Sequence, residues 1–200
     1  METSEQGEVI LGIGRGTMVC AFFGGAWLGV GLAAAGKFSL WVIIAFSVCC
    51  LGLFAGSLFL IRRGNKLRPK TPAHPERYAT MRKQFLWIVI AEVVVCAAVA
   101  CVCGSLKRGD LIPVWIAAVV GLHLLPLARV FRAPAYYVTG SAIAIWCALS
   151  WALFRGDKMD ISVGIGTGTI FWLTGAYALA QSRALLSPAP LQPSSATLSK

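Results

Sequence analysis

Apolar residues fall in six long runs along the chain, and short polar stretches that hold nearly all the charged residues separate these runs. A helix rises about 1.5 Å per residue, so about 20 apolar residues cross a hydrocarbon core about 30 Å thick. Each run has this length and none shows the alternation of a membrane strand, so we predict six transmembrane helices. Their predicted bounds are residues 17–36, 40–61, 85–103, 111–131, 135–154 and 161–181.

The connections between the runs predict how the helices pair. Short links join the first run to the second, the third to the fourth and the fifth to the sixth, so each pair should form an antiparallel hairpin. The predicted fold is therefore all-α, a polytopic membrane domain of three hairpins over residues 1–184. A basic loop with three prolines, residues 62–84, follows the first hairpin. Residues 185–200, rich in proline and serine, predict a disordered cytoplasmic tail.

Composition and charge give the location and orientation. A chain that is 58% hydrophobic and 13% charged is not an ordinary water-soluble domain. Thirteen of the 18 basic residues fall on one side of the predicted membrane, and the other five are Lys37, Lys107, Arg108, Arg155 and Lys158. The positive-inside rule then places both termini and the loop 62–84 in the cytoplasm. In general character the chain is similar to small multi-pass proteins of bacterial inner membranes, which implies the same location.

The net charge of +10 has an explanation in this topology, so it does not indicate nucleic-acid binding. The predicted partners are the lipid bilayer itself and anionic lipid headgroups that contact the loop 62–84. The acidic N-terminal residues are unlike the basic start of a cleaved signal peptide, so the first helix is expected to be retained.

Two ionisable residues, Glu92 and His123, lie inside the apolar runs, where such groups are costly and usually functional. Glu92 lies about 10 Å and His123 about 12 Å from the cytoplasmic edge, on helices that form one hairpin. We therefore expect the two side chains to meet, beside a bend at Pro126. This pair is the candidate proton or cation site. A hydrogen-bonded pair that only fixes helix register is the structural alternative.

Further polar residues extend the candidate site. Arg129 lies close enough in sequence to reach Glu92, although its depth also suits an interfacial position. Thr167, Thr174, Tyr177 and Gln181 share one face of the sixth helix at spacings of seven, three and four, as expected for the wall of an aqueous path. Threonine hydroxyls also bond the carbonyls of their own helix, which would give the first two a structural role.

Glycines spaced four residues apart predict close helix packing, because they let two backbones approach. The pairs selected on this basis are Gly25 with Gly29, Gly52 with Gly56, and Gly164 with Gly168. Packing within one chain is the favoured interpretation, and homo-oligomerisation through the first or last helix is the alternative.

The remaining residues assemble no catalytic triad, no pair of catalytic carboxylates and no metal cluster, so no cofactor or metal is predicted. All seven cysteines fall in or beside apolar runs without zinc-binding spacing, which is typical of small buried hydrophobic residues. Three hypotheses follow. The preferred one is a small transporter or channel-like protein with its ion site at Glu92 and His123, and a non-enzymatic role is favoured over an enzymatic one. A non-catalytic membrane scaffold is the second. A lipid-modifying enzyme with a pocket at Arg129, Arg132, Tyr136 and Glu92 is the third.

Overall fold

Six long helices make up almost all of the chain that the structure describes. The computed structural model describes residues 3–37, 39–67, 75–131 and 133–186, and these ranges contain no β-strand. The helices are α1 (Thr3–Ala34), α2 (Leu40–Leu67), α3 (Pro75–Ser105), α4 (Ile112–Phe131), α5 (Pro134–Leu153) and α6 (Asp157–Leu186), with a 3₁₀ turn at Gly109–Leu111. Each of the six is long and apolar enough to cross a membrane. The predicted fold class, an all-α multi-pass membrane protein, is confirmed.

Four of the helices are longer than the predicted transmembrane runs. α4 and α5 have 20 residues each, about 30 Å, which matches the hydrocarbon core. The others have 28 to 32 residues and therefore extend roughly 12–18 Å further. The predicted loop 62–84 is too long, because residues 62–67 continue α2 and α3 already begins at Pro75. Hydropathy detects only the part of a helix that lipid surrounds. Residues 68–74 and the predicted tail beyond residue 186 lie outside the described residues.

The helices are arranged in the order α2, α1, α6, α5, α4, α3. α1 packs most extensively against α6, and all three predicted hairpin pairs are in contact. α3 lies at one edge, with α4 and the adjoining 3₁₀ turn as its substantial neighbours. We call the end of the bundle with the start of α1 and the end of α6 the terminal end, and the opposite end the loop end.

Glycines allow α1 and α6 to approach closely. A Cβ atom added to Gly164 would lie 2.4 Å from the nitrogen of Gly31, and one added to Gly168 would lie 2.7 Å from the carbonyl oxygen of Gly24. Such distances leave no room for a side chain. Gly24 and Gly31 are seven residues apart, so they occupy one face of α1. Backbone-to-backbone contact is what small residues provide in membrane helices, where hydrophobic burial gives little drive for association.

The predicted packing glycines divide into three groups. Gly164 and Gly168 form the α1–α6 contact, while Gly25 and Gly56 face side chains of neighbouring helices, Cys50 and Leu179 respectively. A Cβ on Gly29 or Gly52 would meet nothing within 4 Å. The packing prediction is wrong for these last two within one chain. For Gly29 the reason is helical phase, since α1 turns the face with Gly24 and Gly31 toward α6.

Two indole rings rest on glycines of a neighbouring helix. Trp146 of α5 covers Gly166 of α6 and donates from Nε1 to the carbonyl oxygen of Ser162, at 2.9 Å. Trp172 of α6 covers Gly24 of α1, with its Nε1 3.3 Å from the carbonyl oxygen of Ala21. In each case the missing side chain lets the ring reach a carbonyl of the opposite helix. The indole nitrogen thereby finds an acceptor inside an apolar interface.

Left-handed residues end the helices at the loop end. Gly36 has φ +61°, and the bonds from Gly36 N to Ala33 O and from Lys37 N to Leu32 O complete a Schellman cap after α1. The same pair of bonds follows α3, where Lys107 takes the left-handed position with φ 54°. Among the described non-glycine residues, Lys107 alone has a positive φ.

The buried core lies mainly between α4, α5 and α6. Ala117 of α4, Ile143 of α5 and Val163 of α6 are each fully buried, and Phe171 of α6 is 2% exposed. Cys20 of α1 joins the same cluster. The core thus connects the three central helices to α1, while α3 contributes no buried member and borders the core with the partly buried Ile88. This placement sets the surroundings of the candidate site, which lies where α3 meets α4.

Candidate functional site

Glu92 of α3 and His123 of α4 are in contact. The distance between Glu92 Oε1 and His123 Nδ1 is 3.2 Å, and the side chains are 16% and 17% exposed. The shared depth deduced from the sequence therefore corresponds to a real contact. Because α3 packs on α4 and lies outside the core, this contact is the polar link between the edge helix and the rest of the bundle.

The hydrogen position in this pair follows from a third atom. His123 Nδ1 lies 2.7 Å from the carbonyl oxygen of Val120, one turn earlier in α4. A carbonyl oxygen can only accept, so Nδ1 must carry the hydrogen. That N–H points to both Val120 O and the Glu92 carboxylate. In this tautomer Nε2 is the ring nitrogen with a free lone pair, while Nδ1 faces the carboxylate.

Aromatic rings close the terminal end of the α3–α4 seam. The rings of Phe85 and Phe131 have centroids 5.8 Å apart, and Phe131 meets Tyr136 of α5 edge-on at 6.4 Å. Phe85 precedes Glu92 by seven residues, so the cluster lies about 10 Å from the carboxylate. Toward the loop end the seam is lined by small residues, including the half-buried Cys96 and the buried Cys103. The pair thus lies between an aromatic cluster and an apolar seam.

Pro126 adds a backbone acceptor near the pair. α4 continues as a helix through Pro126, but proline has no N–H, so the carbonyl oxygen of Leu122 receives no bond from position 126. Leu122 is itself exposed. This carbonyl, immediately before His123, lacks the helical hydrogen bond that a residue other than proline at position 126 would supply.

Arg129 does not complete the pair. Its side chain is exposed, and it forms no ion pair with the described acidic residues. Tyr136 contacts Phe131 rather than Glu92, and the side chain of Arg132 lies outside the described residues. The pocket that a lipid-modifying enzyme would need at these positions is therefore not assembled by the described side chains.

The polar residues of α6 separate into inward and outward groups. Thr167 is fully buried, Thr174 is half-buried and Tyr177 is 58% exposed. Tyr177 accepts a hydrogen bond from the exposed Gln181. Thr167 Oγ1 has no oxygen or nitrogen partner among the described residues and lies beside the thiol of Cys147. The four residues therefore do not line one common path.

Hydroxyl groups of α5, which sequence reasoning missed, supply partners for α6. Thr139 and Thr174 have hydroxyl oxygens 2.9 Å apart, as do Ser150 and Ser162. Thr139 and Ser150 are buried at 4% and 1% exposure. With Cys147 they recur along α5 at helical spacing, a signal that the sequence contains. These bonds join the two helices at two levels and leave little polar surface for a conduit.

The described residues contain no group of three or more His, Cys, Asp or Glu side chains that could hold a metal ion. The cysteines are free thiols. Two hollows lie along α5 and α6, away from Glu92 and His123, and both are open to the surroundings. The site is thus a protonatable pair in a helix seam and not an enclosed cavity.

Comparison with protein-family models gives no match to this chain. Searches among curated proteins and solved structures give none either. Function must therefore be argued from the geometry alone.

Proposed function

We propose that this membrane protein is a small transporter in which Glu92 and His123 bind a proton and in which α3 moves relative to the other five helices. The observation that carries the proposal is the 3.2 Å contact between Glu92 Oε1 and His123 Nδ1. Ionisable groups at this depth in a membrane helix commonly mark proton relays. The pair also joins the edge helix to the core, so its protonation state bears directly on how α3 is held.

The difference in packing supports movement of α3. Glycine contacts bring α1 close to α6 and α4 close to α5, where a Cβ on Gly140 would lie 2.5 Å from Gly121 O. α3 has no such contact among its described residues, since a Cβ on its single glycine, Gly104, would meet nothing within 4 Å. Several of its large apolar side chains, among them Trp87, Val93 and Val94, are more than half exposed. A helix held this loosely can shift while the glycine-packed helices stay together.

A proton fits the pair better than a metal ion. Cations such as Ca²⁺ take six or more oxygen ligands, whereas one carboxylate and one imidazole supply few donors. The described residues add no third His, Cys, Asp or Glu side chain. A proton on Nε2 gives an imidazolium that the Glu92 carboxylate stabilises, and loss of that proton leaves neutral His123 beside a carboxylate with one fewer favourable interaction. One proton is gained and released per cycle, with no other bond changed.

Proton flux in liposomes tests this proposal. The parent protein is reconstituted with a pH-sensitive dye inside, a potassium diffusion potential is imposed with valinomycin, and the rate of internal pH change is measured. Glu92→Gln should abolish the protein-dependent flux, because a neutral amide cannot stabilise the imidazolium. Glu76→Gln, the same substitution at an exposed position of α3, should match the parent. Equal flux for the parent and Glu92→Gln, or no protein-dependent flux in the parent, would contradict a proton-transport role.

A membrane scaffold is the second candidate, and one observation favours it. The two hollows along α5 and α6 are open and lie away from the Glu92–His123 pair. Hydroxyl groups of these two helices form hydrogen bonds with each other. A bundle of this kind could act by presenting the exposed apolar faces of α2 and α3 to another membrane protein or to a second copy. Chemical cross-linking and mass measurement in detergent would detect a stable homo-oligomer. Oligomers together with absent proton flux would favour the scaffold over the transporter.

We also propose that the terminal end faces the cytoplasm of a bacterial cell and contacts anionic lipid there. The extended ends of α2 and α3 carry exposed basic residues, namely Arg62, Arg63, Lys66, Arg82 and Lys83. Such residues next to a membrane attract anionic headgroups. A reporter enzyme active only in the cytoplasm, fused to the C-terminus, should be active, and a periplasm-dependent reporter should be inactive. The reverse pattern would contradict this orientation.

A further inference from the structure

An apolar groove runs along the α5–α6 seam on the outside of the bundle. It is an open groove of about 400 Å³, lined mainly by Trp146, Ile161, Ile165, Gly166 and Ile170. At Gly166 no side chain fills the space beside α6, and the five-membered edge of the Trp146 indole occupies it. Ser162 and Thr169 are its polar members. Both helices are apolar and long enough to span a membrane, so the groove on their outer surface faces lipid. A lipid acyl chain is therefore the occupant that matches its apolar lining.

A second, polar hollow lies at the loop end of the same two helices. It is an open hollow of about 700 Å³, lined by Leu153, Phe154, Arg155, Asp157 and Lys158. This set combines two cationic side chains, one carboxylate and two apolar side chains. It lies where α5 ends and α6 begins, at the level expected for lipid headgroups.

Lining residues of the two hollows follow each other along one face of α6. Lys158, Ser162, Ile165 and Thr169 follow each other at spacings of four, three and four, so they form one stripe. From Lys158 to Thr169 the helix rises by eleven steps, or about 16 Å, close to the half-thickness of a hydrocarbon core about 30 Å thick. On α5, Trp146 and Leu153 are seven residues apart and also share a face. A headgroup at Lys158 therefore places its acyl chain over Thr169.

The charges of the polar hollow suit a zwitterion. Arg155 donates to the carbonyl oxygens of Trp151 and Phe154, which fixes its guanidinium at the hollow while its charge remains. Lys158 is exposed and forms no ion pair with described residues. These two cations suit a phosphate, and the neighbouring Asp157 carboxylate suits an ammonium group. A purely anionic lipid would place no positive group against Asp157.

We infer that this composite groove binds one zwitterionic phospholipid with a primary ammonium headgroup, as in phosphatidylethanolamine. Its phosphate lies between Arg155 and Lys158, its ammonium donates to Asp157, and one acyl chain lies in the groove beneath Trp146. The ammonium must carry hydrogens for the Asp157 contact. A trimethylated choline headgroup has the same net charge but no N–H donor, so the site should select against it.

Native mass spectrometry of the full chain tests the inference. The probe is an equimolar mixture of phosphatidylethanolamine, phosphatidylcholine and phosphatidylglycerol with identical acyl chains. The parent should retain phosphatidylethanolamine preferentially. Lys158→Ala should lower its occupancy by about threefold, the scale of one exposed charge contact. Asp157→Asn should remove the preference for ethanolamine over choline. Lys37→Ala, a charge removal in another loop at the same end, should leave occupancy unchanged.

A groove-filling variant tests the acyl chain separately. Thr169→Phe places a ring in the groove from an exposed position, so it should exclude the chain and lower the occupancy of all three lipids while thermal unfolding stays near that of the parent. A preference for phosphatidylglycerol, or equal occupancy in the parent, Lys158→Ala and Thr169→Phe, would overturn the inference. Unchanged selectivity in Asp157→Asn would overturn the role of the ammonium group.

Discussion

Gly164 of α6 meets Gly31 of α1 backbone to backbone, so that a Cβ atom on Gly164 would lie 2.5 Å from the Gly31 Cα. Replacing either residue forces the two helices apart, and overpacking of this kind costs about 1–3 kcal/mol. We expect Gly164→Ala to lower the thermal unfolding midpoint of the protein in detergent.

The matched control lies on the same pair of helices. A Cβ on Gly29 of α1 would meet nothing within 4 Å, so Gly29→Ala should leave the unfolding midpoint unchanged or raise it slightly, since alanine favours the helix. If both substitutions lowered the midpoint equally, close packing at Gly164 would not be the cause.

The contact between Glu92 and His123 should appear as a coupling energy. In a double-mutant cycle with Glu92→Leu and His123→Leu, the double variant should be more stable than the sum of the single effects predicts, by about 1 kcal/mol. Each single change leaves one polar group without its partner in an apolar seam. The cycle of Glu76→Leu with His123→Leu should be additive, because Glu76 is exposed at the terminal end. Additivity in both cycles would mean that the pair does not form.

Lys107 occupies a backbone conformation that glycine adopts more easily. Its φ of 54° strains an L-amino acid by about 1–2 kcal/mol, and Gly36 holds the equivalent position after α1 without this strain. Lys107→Gly should therefore raise the free energy of unfolding by about 1 kcal/mol. Lys37→Gly, in the corresponding loop at a residue without positive φ, should bring no such gain. A loss of stability in Lys107→Gly would show that the lysine side chain makes a stabilising contact.

Two buried threonines should respond in opposite ways to loss of the hydroxyl. Thr139 Oγ1 is bonded to Thr174 and lies 2.9 Å from Ala135 O, so Thr139→Val should cost about 1 kcal/mol. Thr167 Oγ1 is buried without an oxygen or nitrogen partner, so Thr167→Val should be neutral or stabilising. Chemical unfolding in detergent measures both. Equal destabilisation would indicate that Thr167 relies on its thiol neighbour, Cys147.

Hydropathy, together with the depth of Glu92 and His123 along their helices, was enough to predict part of this structure. The apolar runs were sufficient to identify six helices, and the counts of residues from Phe85 and Leu111 placed Glu92 and His123 at matching levels. Pairing of helices far apart in sequence had no comparable signal. GxxxG spacing selected Gly164 and Gly168 on α6, but the matching residues on α1 are seven apart, at Gly24 and Gly31. The exposed edge position of α3 depends on which helices pack at the centre of the bundle. That choice rests on contacts between helices far apart in sequence, so no local sequence pattern predicts it.

The polar residues of α6 show a second limit of prediction from sequence. Their spacing puts Thr167, Thr174 and Tyr177 within one sector of the helix, yet that sector spans the border between core and surroundings. The direction of each side chain depends on α5, whose hydroxyl partners the sequence reading passed over. A polar stripe on one helix is therefore interpretable only together with the helix that faces it.

The close contact of α1 with α6 makes the fold depend on two helices that are synthesised far apart in time. More than a hundred residues separate the end of α1 from the start of α6, which corresponds to about ten seconds of translation. During this interval the glycine face of α1 has no α6 to cover it, and the α1–α2 hairpin must persist in the membrane unaided. A chain interrupted before residue 157 therefore lacks the helix that covers Gly24 and Gly31 and leaves this glycine surface of α1 unmatched.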